Sequence, residues 1–364
     1  MDLTSLTSRL RAATETDDEQ SWPRAGVRVL REAGCFRNVL PLHLGGNEAD
    51  PPAQLATYEA AANGSVTPAL ILTQHDAAAE VLAAASTKSE AADVLKQCVT
   101  GDGLLTVGIS QITTSRRHGR VAMRARHDGD GFVLDGIMPW VTSAPRASHI
   151  VTAAVLDDGR QILACVPTDA PGIWVGPPME LLALQGSCTC EVRCDWVQLT
   201  QSLILRGPME SVLSRRAPVK GLTVSSVGIG MAGALLREVQ SLADKLPGME
   251  GLLEVTIEPQ YHKIHQSLRD AADSLHDPAS ESPAVVIRAE VNALINQLSA
   301  TLMTLSKGTG FLSSHPAQRL VREAAFFLVW SAAPAVQIET LTRIWSDSSS
   351  EQPAKPFLSA TNPY

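Results

Sequence analysis

Trp140 and Thr142, separated by a single valine, combine a large flat apolar face with a hydroxyl. On an extended backbone, residues two apart point to the same side. The pair therefore offers one neighbour a surface to stack on and a hydrogen-bonding group at its edge. A planar heteroaromatic group such as a flavin needs that combination. A core tryptophan followed by a turn threonine is the plainer reading of the same residues.

Other residues carry chemistry by type but less by spacing. Six cysteines occur without a C-x-x-C pair, which predicts reduced thiols in a cytoplasmic protein. Cys188, Cys190 and Cys194 share a parity along one predicted strand and read as small buried residues, not as a metal site. Gly228-x-Gly230-x-x-Gly233 spells a dinucleotide fingerprint after the apolar Leu222–Val227, with Glu254 downstream. The second strand such a unit needs is missing, because Leu252–Ile257 is short and Pro259 follows. A helix whose small residues admit close neighbours is the competing reading. His75 lies in an Ala-rich helix and reads as structural.

The elements that must position these residues fall into three blocks. Residues 1–105 predict an N-terminal helical domain, with helices over Gly26–Ala33, Pro51–Ala62, Val66–Ala85 and Glu90–Val99. Residues 106–208 predict a β-barrel or sandwich domain. Short Val-, Ile- and Thr-rich runs recur there: Leu104–Ile109, Gly119–His127, Gly131–Gly136, His149–Leu156, Gln161–Pro167 and Cys188–Trp196. Residues 209–345 return to helical spacing, over Lys220–Leu242, Pro283–Lys307 and Pro316–Leu328. Residues 346–364 form a Ser- and Pro-rich tail expected to be loosely ordered. The fold class is α+β.

Composition excludes several functions. A formal charge of −8 and no basic cluster argue against nucleic-acid binding. The longest uncharged runs, such as Gly221–Leu236, are too short and too mixed for a membrane span, and the N-terminus has no apolar signal-like region.

The stretch from Leu134 to Ser148 resembles the L-x-G-x-K-x-W-I-T-N-a-x-x-A-D segment of the acyl-CoA dehydrogenase family. Leu134, Gly136, Trp140, Thr142, Ala144 and Ala147 stand in matching places, while Met138, Ser143 and Ser148 depart from it. Leu184–Val192 followed by Asp195-Trp196-Val197 resembles the family's l-G-x-r-G-S-x-T-x-E-v-x-F-D-x-V. Leu30 to Gly34 with Leu40 to Gly46 resembles its entry segment, and Gly308 to Ala324 its G-G-x-G-y…R-D-a run. The resemblance implies N-terminal helices, a middle β domain and a C-terminal four-helix bundle. It also implies FAD between sheet and bundle, contacted by Trp140, Thr142, Ser110, Ser115, Arg116 and Gly308. The implied substrate is an acyl-CoA or acyl-carrier thioester, with hydride passing to flavin N5. An electron-transfer partner or oxygen would be the acceptor, and the assembly a homodimer or homotetramer.

The departures fall on the chemistry. Where the family reads T-E-p-x-a-G-S-D, this chain has Ser110-Gln111 and then Ser115-Arg116, so a Cβ replaces the glycine near the pyrophosphate. Arg116 would add charge complementarity there. The family's E-G-T, whose Glu removes the substrate α-proton, is Ser331-Ala332-Ala333, and the alternative position for that base falls on Lys220. A serine hydroxyl alone is a poor base for a proton α to a thioester. R-x-x-F-G has become Asp244-Lys245-Leu246-Pro247-Gly248. Glu323, Glu339, His262, His265 and His315 are substitute bases by type, each with a structural alternative; for Glu323 that is pairing with Arg319 or another neighbour on the bundle surface. Three readings stay open: an acyl-CoA dehydrogenase-like oxidoreductase, a flavin-dependent monooxygenase of the same fold, and a redox-silent relative that binds acyl-CoA or a partner.

Overall fold

The computed structural model describes residues 1–85, 89–100, 103–113, 123–213, 218–276 and 283–345. Five helices come first: α1 (Leu3–Thr14), α2 (Arg24–Glu32), α3 (Pro51–Gly64), α4 (Val66–Ala84) and α5 (Ser89–Thr100). Their starts follow from local chemistry. Asp2 accepts from the amides of Thr4 and Ser5, and Asp50 accepts from that of Ala53 just ahead of two prolines whose missing N–H groups cost nothing in a first turn.

Eight strands follow: β1 (Leu105–Gly108), β2 (Met123–Asp128), β3 (Gly131–Val141), β4 (His149–Val155), β5 (Gln161–Pro167), β6 (Ile173–Val175), β7 (Cys190–Leu199) and β8 (Ile204–Met209). They form one sheet in the order β6-β7-β3-β2-β4-β5-β8, with β1 parallel to β4. Its two arms meet through a single parallel step, Arg124 against Val155. Met123, Leu134 and Val192 from one arm and Ile150, Ile162 and Val166 from the other share a core, which makes the sheet sandwich-like. The outer side of β1, β4 and β5 (Leu105, Val151, Leu163) packs on Ala78, Leu82 and Leu95 of α4 and α5.

Helices then return as α6 (Thr223–Leu242), α7 (Met249–Leu252), α8 (Glu258–Asp273), α9 (Ala284–Ser306), α10 (Pro316–Phe326) and α11 (Pro334–Trp345). The apolar faces of α6 to α10 join those of α1 to α4 in one core, and α11 lies against α9. The expected α+β architecture is therefore present, and β6 and β8 add to the strands expected from sequence.

The G-x-G-x-x-G run lies inside α6, not in a strand-to-helix turn. Its glycines admit neighbours. A Cβ at Gly230 would overlap the carbonyl oxygen of Glu59 on α3, and one at Gly228 would reach 2.5 Å from Val291 Cγ1 on α9. The helix-crossing reading holds and the dinucleotide reading fails.

Candidate functional site

Trp140 reaches the surface because β3 carries a bulge. Pairing to β7 shifts between Met138 and Val141, so one extra residue sits on β3 there. Before it, the even-numbered Leu134 and Met138 point into the core; after it, Val141 points in while Trp140 and Thr142 turn outward. Trp140 is 52% exposed. Thr142 is half-buried, and its Oγ1 lies 3.3 Å from Thr189 Oγ1, which lies 2.9 Å from Ser187 Oγ. Ser143 adopts a left-handed backbone (φ 61°) and donates its amide to the Ser187 carbonyl at 2.9 Å. Thr106 Oγ1 donates to the Thr142 carbonyl at 2.6 Å. The two segments that best match the family, around Trp140 and around Ser187, are thus tied together by hydroxyls. The sequence reading did not anticipate Thr106, Ser187 and Thr189 as partners.

Ser110 stands in the 3-10 turn Ser110–Ile112 after β1, and that turn packs against β3. Its Oγ is covered and has no hydrogen-bond partner among the described residues. Gln111 anchors the turn, its Nε2 lying 3.0 Å from the Gly108 and Ala153 carbonyls and from Thr152 Oγ1, while its Oε1 has no partner. Below it, His75 is fully buried: Leu105 donates its amide to Nδ1 (3.1 Å), and Nε2 faces the Phe36 carbonyl at 3.2 Å. Accepting at Nδ1 leaves the proton on Nε2, so the ring is neutral, and burial lowers its pKa to about 4. His75 is a clip between helices and sheet.

Ser115 and Arg116 lie outside the described residues, as does the side chain of Lys220, whose backbone forms the 3-10 turn Pro218–Gly221. Gly308 sits in the turn Lys307–Phe311 after α9, with open space beside it. Ser331 lies between α10 and α11, exposed and left-handed at φ 50°. The turn Phe327–Ala333 contains no ionisable side chain.

The substitute bases are engaged elsewhere. Glu339 is paired with Arg343 at 3.0 Å, which also meets Glu290 at 3.3 Å. His315 caps α10, accepting the Ala317 amide. His265 lies 2.9 Å from Glu59, and His262 meets the Tyr261 ring edge-on. Glu323 corrects the surface expectation, because it is buried. Burial, only partly opposed by Arg319 and Arg322, raises its carboxyl to about 7. Arg322 itself is committed to Glu19 (2.6 Å) and the Leu182 carbonyl (2.8 Å).

All six cysteines are free. Cys190 and Cys194 are buried as expected, whereas Cys188 is half-buried and left-handed (φ 48°) just before β7. Among the described residues no cluster of His, Cys, Asp and Glu could hold a metal.

A buried charge that sequence reasoning missed is Arg288, in α9. Its signal was a single charge in the run Ala284–Ala289, at a position the helix turns inward.

No family model matches the chain. It is 20% identical over 360 residues to the probable acyl-CoA dehydrogenase YngJ of Bacillus subtilis, spanning 91% of this chain and 92% of the relative. Its fold superposes on the butyryl-CoA dehydrogenase of Megasphaera elsdenii with a TM-score of 0.80 at 15% identity, covering 93% and 97% of the two chains. It superposes on the dibenzothiophene monooxygenase TdsC of Paenibacillus sp. A11-2 with a TM-score of 0.77 at 15% identity, covering 94% of each.

Proposed function

We propose that this chain, a divergent protein with the acyl-CoA dehydrogenase fold, is a flavin-dependent oxidoreductase that acts on an acyl thioester or related acyl substrate. The observation that carries the reading is the outward pair on β3. An indole 52% exposed, beside a hydroxyl at the end of a hydroxyl chain, suits a flat ring with polar edges. The covered Ser110 Oγ, unpartnered among the described residues, is a polar group left for the same ligand. The residues that would meet the ring therefore fit it. When bound, FAD supplies the two-electron redox centre. Trp140 covers one part of the ring, while Thr142 and Ser110 hold its polar edge. Ser115, Arg116 and Gly308 are assigned to the FAD by resemblance alone.

A second reading, a flavin-dependent monooxygenase, is favoured by one observation. The turn at Ser331 has no carboxylate, and its neighbours Glu323 and Glu339 are buried or paired. A reaction that needs no base at that point suits it better than α-proton abstraction.

We also assign a homodimer or homotetramer. Ile338, Leu341 and Trp345 form one outward stripe of α11, each more than half exposed, and such a face is commonly covered by a second copy. No helix of the described residues is long and apolar enough to cross a membrane, and the free thiols support our placing the chain in the cytoplasm.

The test is the visible spectrum after loading with FAD and desalting, for the parent and Trp140→Ala. Retained flavin bands in the parent that weaken in the variant support the site; a parent that stays colourless sinks it. Anaerobic bleaching by butyryl-CoA then marks dehydrogenation. Oxygen uptake above the background of free reduced flavin marks monooxygenation.

A further inference from the structure

Arg288 is 5% exposed and points from α9 at the end of α10. Its Nη2 donates to the carbonyls of Phe327 (2.7 Å) and Trp330 (3.3 Å), and its guanidinium carbon lies 5.8 Å from the Phe327 ring centre. These carbonyls lie where the helix breaks up. α10 stops at Phe326, the amides of Phe327 to Trp330 bond back in short turns, and Ser331 leaves the helix in the left-handed region. Carbonyls at a helix end need donors, and the dipole there favours a cation. Trp330 is in turn stacked on Phe326, with centroids 5.2 Å apart at 21°.

The charge itself is uncompensated. No carboxylate pairs with Arg288 among the described residues, and its Nη1 is covered without a partner. Desolvation alone pulls its pKa down to about 9, so the group stays protonated at neutral pH. A cation thus lies one peptide behind Ser331, in the turn where the resemblance places a carboxylate base.

We infer that Arg288 is a positioning residue: it braces the Phe327–Ser331 turn and backs Ser331 with fixed positive charge, so the turn favours negative charge on a substrate group seated there. The inference rests on the proposed reading of this turn as the substrate-facing one.

The experiment uses the full chain with Ser331→Cys as reporter, in backgrounds with Arg288, Arg288→Met, Arg288→Gln and Arg288→Lys. Alkylation at position 331 is followed against pH by peptide mass spectrometry, which separates it from the native cysteines. The introduced thiol should titrate about one pH unit higher with Met or Gln than with Arg, and Lys should restore at least half of the difference. Amide exchange across Leu328–Ala332 should quicken about tenfold with Met and less with Gln, which keeps a donor for the carbonyls. Equal thiol titration in all backgrounds overturns the inference, as does Lys behaving like Met. If Met prevents folding, the Gln and Lys arms decide it. Neither readout needs flavin or substrate, so a failure here is distinct from failure of the proposed reaction.

Discussion

His75→Gln removes a titrating clip without removing its bonds. A glutamine amide oxygen can take the Leu105 amide, and its NH2 can give to the Phe36 carbonyl, so the 3.1 Å and 3.2 Å contacts have replacements. What changes is proton linkage. Unfolded, the imidazole titrates near 6.5; folded, near 4, because burial disfavours the charged ring. Between those values the unfolded chain binds the extra proton, so the stability His75 confers is complete above pH 6.5 and is lost as pH falls towards 4. At about 1.4 kcal/mol per pH unit, that gap amounts to about 3 kcal/mol. The parent alone will not display it. Glu323, raised from 4.5 to about 7, has the opposite sign over nearly the same window, and buried Asp76 is raised too. The informative quantity is the difference in unfolding free energy between parent and His75→Gln. Equilibrium urea denaturation at half-unit steps from pH 7.5 to 4 measures it. The parent should lose about 3 kcal/mol relative to the variant across that range. A difference flat to within about 0.5 kcal/mol would refute the neutral, buried imidazole.

Three further outcomes follow from particular contacts. Glu323→Gln should leave stability unchanged below pH 4.5 and raise it by about 3 kcal/mol at pH 8, where the parent buries a charge; the same denaturation series reads it. Gly230→Ala should destabilise by about 3 kcal/mol, since a backbone carbonyl stands where the methyl would go and α3 would have to move off α6; a urea midpoint checks this. Ser331→Gly should stabilise by about 1 kcal/mol, because a left-handed φ of 50° strains any residue with a Cβ, and thermal melting should show the rise.

Much of this architecture could be read directly from the residues. Four early helices fell within about two residues of their observed limits, because apolar spacing and Gly, Ser or Pro punctuation agree there. β6 and β8 were missed for local reasons: Ile173–Val175 is only three residues long, and Ile204–Met209 contains a Gly-Pro pair that reads as a turn. That Trp140 and Thr142 share a side followed from strand parity, but the bulge that turns them outward has no signature in composition. Glu323 looked like a surface residue because arginines precede it. Its neighbour Arg322 is bound to Glu19 and the Leu182 carbonyl, distant segments whose approach no local pattern announces. Arg288 did announce itself, as one charge in an apolar run, yet its partners are carbonyls exposed only because α10 stops early.

The single extra residue in β3 makes the outward pair a matter of counting. Substitutions along the strand alter its surface one side chain at a time, but a residue inserted between Trp140 and Thr142 would set the indole and the hydroxyl on opposite faces. Chain length at this point therefore decides whether the two groups share one neighbour. The side chain at Ser331 is under no such register constraint, since it meets solvent, although its left-handed backbone favours glycine. The side chain at Ser331 can thus change by itself, while the outward pair on β3 is fixed by the register of a strand.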